Sequence, residues 1–150
     1  MKVRNLLAAA AVALLAAPQQ TGAQWKPVGD KIKTPWAEKV SPKLPWNVYP
    51  RPQLKRAQWV NLNGQWNYAI KDLQSGEPAS FDGKILVPYP IESSLSGVGK
   101  TLTKDNILWY NRTFTIPSAW KGKNVKLNFG GVDWKAEVFV NGVSVGSHTG

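Results

Sequence analysis

From Trp59 onward the apolar residues of this chain recur at every second position, in short runs separated by turn dipeptides. This period constrains the fold more than any other feature. Side chains on a strand point alternately to its two faces, whereas a buried helical stripe repeats every 3.6 residues. Trp66, Tyr68 and Ile70 alternate with polar neighbours, and Ile85-Leu86-Val87 is a short apolar run stopped by Pro88. Tyr110, Arg112, Phe114 and Ile116 alternate up to Pro117, and Val125, Leu127 and Phe129 alternate after the turn at Lys121-Gly122. Ala136, Val138 and Val140 precede Asn141-Gly142, and Val143 and Val145 follow it. Asn-Gly between alternating runs predicts a two-residue hairpin, because both residues accept positive φ. Ser75-Gly76 and Asp82-Gly83 are further turn signals. The class is all-β, with strands at the spacing of a sandwich. The last hairpin ends at Gly146 and the sequence at Gly150. Complete proteins cover or avoid an unpaired edge, so the sandwich is expected to be incomplete at its C-terminus.

Residues 1–23 read as a secretory signal peptide. Lys2 and Arg4 form a positive n-region, Leu6 to Ala17 is unbroken and apolar, and Thr21-Gly22-Ala23 offers small residues for cleavage. Cleavage after Ala23 leaves Gln24 at the N-terminus. An apolar run of twelve residues falls short of the ~20 that span a bilayer. The expectation is export, to the periplasm or beyond the cell, without a stable membrane anchor. The chain has no cysteine, so its stability must come from burial rather than disulfides.

Residues 24–57 hold six of the eleven prolines, interleaved with Trp25, Trp36, Trp46 and Tyr49. Proline removes donors and disfavours helix before it. Disordered tails lack such aromatics, so this segment reads as an extended arm that wraps the body, residues 58–150. A flexible linker is the alternative.

The formal charge of +10 invites a nucleic-acid reading, but the lysines are scattered singly and no nucleic-acid motif is present. A solvated basic surface without a nucleic-acid partner fits better. Ser96-Gly97-Val98-Gly99-Lys100-Thr101 resembles a phosphate-binding loop, yet Ser94 stands where the pattern needs its first glycine. Hydrolysis by paired carboxylates needs them about 5–5.5 Å or about 6.5–9.5 Å apart. Asp133 and Glu137, the most suggestive pair, lie four strand residues apart, or ~13 Å. His148, the one histidine, has no triad pattern and no metal-ligand neighbours. The segment therefore offers no catalytic residue, metal site or cofactor site. Trp66 reads as core. Trp134 follows the Gly130-Gly131 loop, and Asp133 beside it is a carboxylate in an apolar run. These two are the candidates for binding a substrate through an aromatic face and a hydrogen-bond acceptor. A turn role for Asp133 stands equally open.

Five segments in order resemble one known family. They are YPRPQ (Tyr49 to Gln53), LNGQW (Leu62 to Trp66), ILVPYPIESSLSGV (Ile85 to Val98), WYNRTFTIP (Trp109 to Pro117) and GVDWKAEVFVNGVSVGSHTG (Gly131 to Gly150). Together they are similar to the N-terminal sugar-binding domain of family 2 glycoside hydrolases, which includes β-galactosidases, β-glucuronidases and β-mannosidases. The resemblance implies a jelly-roll, galactose-binding-like sandwich, followed downstream by an immunoglobulin-like sandwich and a (β/α)₈ barrel that act as its partners. It also implies retaining hydrolysis of a β-linked carbohydrate substrate by barrel glutamates beyond Gly150. Asp133 occupies the position that reaches towards the sugar subsite in several members. Asn111 departs from the family, where many members have Arg. A free-standing secreted carbohydrate-binding module is the alternative, and a purely structural sandwich is a third reading.

Overall fold

A computed structural model describes residues 24–150. The proposed signal segment, including Ala23, lies outside the described residues, whereas Gln24 is described and exposed. The longest strand, β1 (Gly64–Asp72), is central. β2 (Gly83–Val87) lies on one side of it and β3 (Asn106–Asn111) on the other, both antiparallel. β1 pairs Trp66 with Ile85 and Lys71 with Ile107. The alternation in β1 puts Trp66, Tyr68 and Ile70 on one face. There Tyr68 joins Ile85 and Ile91 in the core, with Trp66, Ile70, Val87, Val98, Leu102 and Leu108 packed around them. Ile85 and its neighbour Leu86 are both fully buried. Both faces of β2 are therefore covered, as its continuous apolar run requires.

The second unit is the hairpin of β4 (Lys135–Val140) and β5 (Val143–Thr149). Its turn is Asn141-Gly142, with φ of 52° and 79°. Two positive φ values match the twist of the flanking strands. A bulge follows, since Val138 faces Gly146 but Phe139 faces Ser144. Phe139 stacks on Trp109 of β3 at 6.2 Å between centroids, which joins the hairpin to the three-stranded sheet. The fold is all-β, antiparallel and of the galactose-binding-like class.

Two strand expectations need correction. β3 starts at Asn106 and stops at Asn111, so the alternating run through Phe114 and Ile116 lies outside any ladder. The local reason is Arg112. Its guanidinium, not its backbone, meets the carbonyls of Leu62 and Asn63 at 2.6 and 3.0 Å. Val125, Leu127 and Phe129 likewise form no strand and are exposed. A strand exists by its pairing, and among the described residues no ladder takes up this segment.

Residues 24–57 make discrete contacts with residues 58–150. The Trp25 indole N–H donates to the Leu95 carbonyl at 3.1 Å, and the Val28 N–H to the Ser94 carbonyl at 3.0 Å. Ala37 and Pro45 are buried. Tyr49 meets Trp59 edge-on at 5.0 Å.

Candidate functional site

The two residues singled out for binding stand together where the chain enters β4. Asp133 and Trp134 are joined by a cis peptide bond. Trp134 is 67% exposed, and Asp133 is exposed as well. The Trp134 carbonyl accepts from the Gly150 N–H at 2.9 Å, which extends the β4–β5 pairing beyond Lys135 and Thr149 and fixes the backbone under the indole. Among the described residues no hydrogen bond engages the Asp133 carboxylate. The pair thus offers an anionic acceptor and an aromatic face, both open to solvent on a hairpin-supported backbone. Such a combination can accept hydroxyl hydrogen bonds and stack on the C–H face of a sugar ring.

The other chemistry-bearing residues do not converge here. Glu137 lies in β4 opposite Ser147, and His148 lies in β5 opposite Ala136. Among the described residues no three His, Asp or Glu side chains group so as to hold a metal ion. Cavities of about 320 and 610 Å³ lie along the arm, lined by residues such as Lys31, Ile32 and Thr34, and include neither Asp133 nor Trp134. No helix among the described residues is long and apolar enough to cross a membrane.

The glycine-rich loop is built to close on itself. Ser96 is fully buried, and its hydroxyl donates towards the carbonyls of Ile91 and Ser93 at 3.0 and 2.7 Å. The same oxygen accepts from the N–H groups of Val98 at 3.0 Å and Gly99 at 3.3 Å. The amides that could cradle a phosphate are therefore consumed internally. Trp25 also covers Gly97, where an added Cβ would lie 2.9 Å from the indole.

The motifs that looked weak singly are physically joined. Arg112, from the WYNRTFTIP segment, binds two carbonyls of LNGQW and lies over the Trp66 ring at 5.9 Å. The Trp66 indole N–H in turn donates to Leu62 at 2.8 Å. Across the sheet, Asn67 of β1 receives Lys84 of β2 and donates to Asn111 of β3 at 3.1 Å. Asn111, the departure from the family pattern, thus ends a polar ladder that spans three strands. Sequence reasoning missed this ladder, because the three residues meet only through register.

The all-β antiparallel body is consistent with a galactose-binding-like domain, the class to which its C-terminal part is similar. The family described as glycosyl hydrolase 2 galactose-binding domain-like matches residues 99–150. That stretch contains β3, the hairpin and the Asp133–Trp134 pair. Over 109 residues the chain is 29% identical to a beta-glucuronidase of Paenibacillus borealis, covering 69% of this chain and 18% of that protein. It is 34% identical over 97 residues to the beta-galactosidase BoGH2A of Bacteroides ovatus, covering 57% and 11% respectively. A beta-galactosidase of Thermoanaerobacter pseudethanolicus is 30% identical over 95 residues, covering 61% and 13%. Over part of its length the chain therefore resembles the N-terminal domain of family 2 glycoside hydrolases. It spans between 11% and 18% of the length of these three relatives.

Proposed function

We propose that this chain is the N-terminal carbohydrate-binding part of an exported, retaining glycosidase that acts on β-linked sugars, β-galactosidase-like in type. The supporting observation is the match over residues 99–150 to the galactose-binding-like domain of glycosyl hydrolase 2. The relatives named beta-galactosidase and beta-glucuronidase support the same reading. The catalytic glutamates lie on a barrel downstream of Gly150, and a sandwich domain precedes that barrel. Here the body presents Asp133 to the hydroxyls of the terminal sugar and Trp134 to its C–H face. A signal peptide cleaved between Ala23 and Gln24 sends the protein out of the cytoplasm. No cofactor enters this reading.

Two measurements test it. The 150-residue chain is expected to leave nitrophenyl β-galactoside and β-glucuronide intact. Turnover above the uncatalysed rate would place catalytic carboxylates within the segment and refute the assignment. Galactose or glucuronate titrated against the chain in an NMR binding experiment is expected to shift resonances near the hairpin. Asp133→Ala should abolish those shifts. Equal binding by that variant removes Asp133 from the site.

A further inference from the structure

Among the described residues only two non-glycine residues have positive φ, Asn141 and Trp46. Asn141 is explained by its hairpin turn. Trp46, at φ of 53°, is not. It follows Pro45 in a turn whose second central residue needs positive φ, a position that ordinarily takes glycine or asparagine. A bulky side chain there is an outlier that persists only where its surroundings hold it.

The surroundings hold the backbone and release the indole. Pro45 is fully buried. Its carbonyl accepts from the Asn63 side-chain amide at 3.3 Å, and the Trp46 carbonyl accepts from the Val48 N–H at 2.9 Å and the Asn61 amide at 3.4 Å. Asn61 is itself fixed, because its Oδ1 receives the Asn63 N–H at 2.8 Å. These asparagines lead directly into β1, so the turn is tied to the central strand. Yet the Trp46 side chain is 71% exposed. The backbone conformation is unfavourable and the indole gains little burial in return. Contacts among the described residues therefore do not account for tryptophan at this position.

We infer that Trp46 is a second carbohydrate-stacking platform, on the arm and separate from Asp133 and Trp134, which takes the apolar face of a pyranose ring in a β-linked glycan. The inference rests on the carbohydrate-binding reading above. A rigid aromatic face gives contact area at small entropic cost, since the backbone beneath it is already ordered.

The test is native electrophoresis towards the cathode of the 150-residue chain in gels containing soluble β-galactan, β-mannan or a glucuronate-bearing xylan. Trp46→Asn keeps a residue that tolerates positive φ and removes the indole. Retention by at least one polymer is expected to weaken about ten-fold or more in this variant, as loss of an aromatic anchor does, with an unchanged melting temperature. Trp46→Tyr, which keeps an aromatic face, should retain most of the retardation. If the wild type is retarded and Trp46→Asn equally so, the platform is refuted while the carbohydrate-binding reading stands. If no polymer retards the wild type, both fall. If Trp46→Asn melts several degrees lower, the indole serves packing and the inference is overturned.

Discussion

Replacing Arg112 by alanine should be among the most damaging single changes outside the apolar core, and its cost can be worked from the contacts. The guanidinium makes two charge-assisted hydrogen bonds through Nη1, to Leu62 at 2.6 Å and Asn63 at 3.0 Å. Bonds from charged donors contribute about 1.5–3 kcal/mol each where they are well buried. These are part-buried, and water can reach the carbonyls once the side chain is gone, so about 1 kcal/mol each is the better figure. The cation over the Trp66 ring at 5.9 Å adds about 0.5–1 kcal/mol. The expected loss is ~2.5–3 kcal/mol, which lowers the melting temperature by roughly 8–12 °C for a domain of this size. Arg112→Lys should lose less, since an ammonium can still reach one carbonyl but cannot lie flat on the indole. Urea unfolding followed by tryptophan fluorescence gives the free energy directly, and the m-value shows whether the same surface is exposed. Thr113→Ala, an exposed neighbour, serves as the control and should stay within about 0.5 kcal/mol. A loss below ~0.5 kcal/mol for Arg112→Ala would falsify the view that this side chain, rather than strand pairing, ties the end of β3 to the start of β1.

Two further outcomes follow from local geometry. Gly97→Ala should cost about 1–2 kcal/mol from its φ of +80° alone. The added Cβ would also push the Trp25 indole off the Leu95 carbonyl. A red shift of the emission that is absent in a Trp25→Phe background is the check, and an unchanged spectrum counts against the Trp25 anchor. Asp82 is held below the ordinary carboxylate range, first by the Ile70 N–H at 2.8 Å and then by Lys71 at 3.5 Å. A depressed folded-state value means its contribution is present above the unfolded value of about 3.9 and is lost as the pH falls through the folded one. The urea midpoint should therefore drop on acidification below about pH 4, and less steeply in Asp82→Asn. Parallel acid profiles for the two proteins would show that the Ile70 contact does not matter.

The elements legible in advance were those where local pattern and tertiary pairing agree. Trp66, Tyr68 and Ile70 alternate and have β2 and β3 on either side. Asn141-Gly142 alone specifies a turn. Val125, Leu127 and Phe129 carry the same alternation, but alternation states only which face a residue would take. It does not supply a neighbouring strand, and with none among the described residues the run lies outside any ladder and exposed. The arm failed in the opposite direction. Prolines and tryptophans suggested an arm over residues 24–57 without showing how it is held, because some of its contacts reach loop carbonyls more than sixty residues away, such as Trp25 to Leu95. Periodicity carries no trace of such contacts.

The candidate site was legible for a related reason. Asp133 interrupts an apolar run, and a carboxylate placed among strand residues without an obvious partner is conspicuous in one dimension. The neighbouring indole of Trp134 is exposed as well. Trp46 gave no such signal. One tryptophan among four aromatics of the arm looks like the others until its backbone angle is known. Positive φ is a property of the folded turn, and what points to function is the conflict between that turn and its residue. A residue that suits neither its backbone nor its burial is retained for something outside the fold. By that criterion Trp46 stands apart among the described residues, since its positive φ and its exposure coincide without a hairpin turn to explain them.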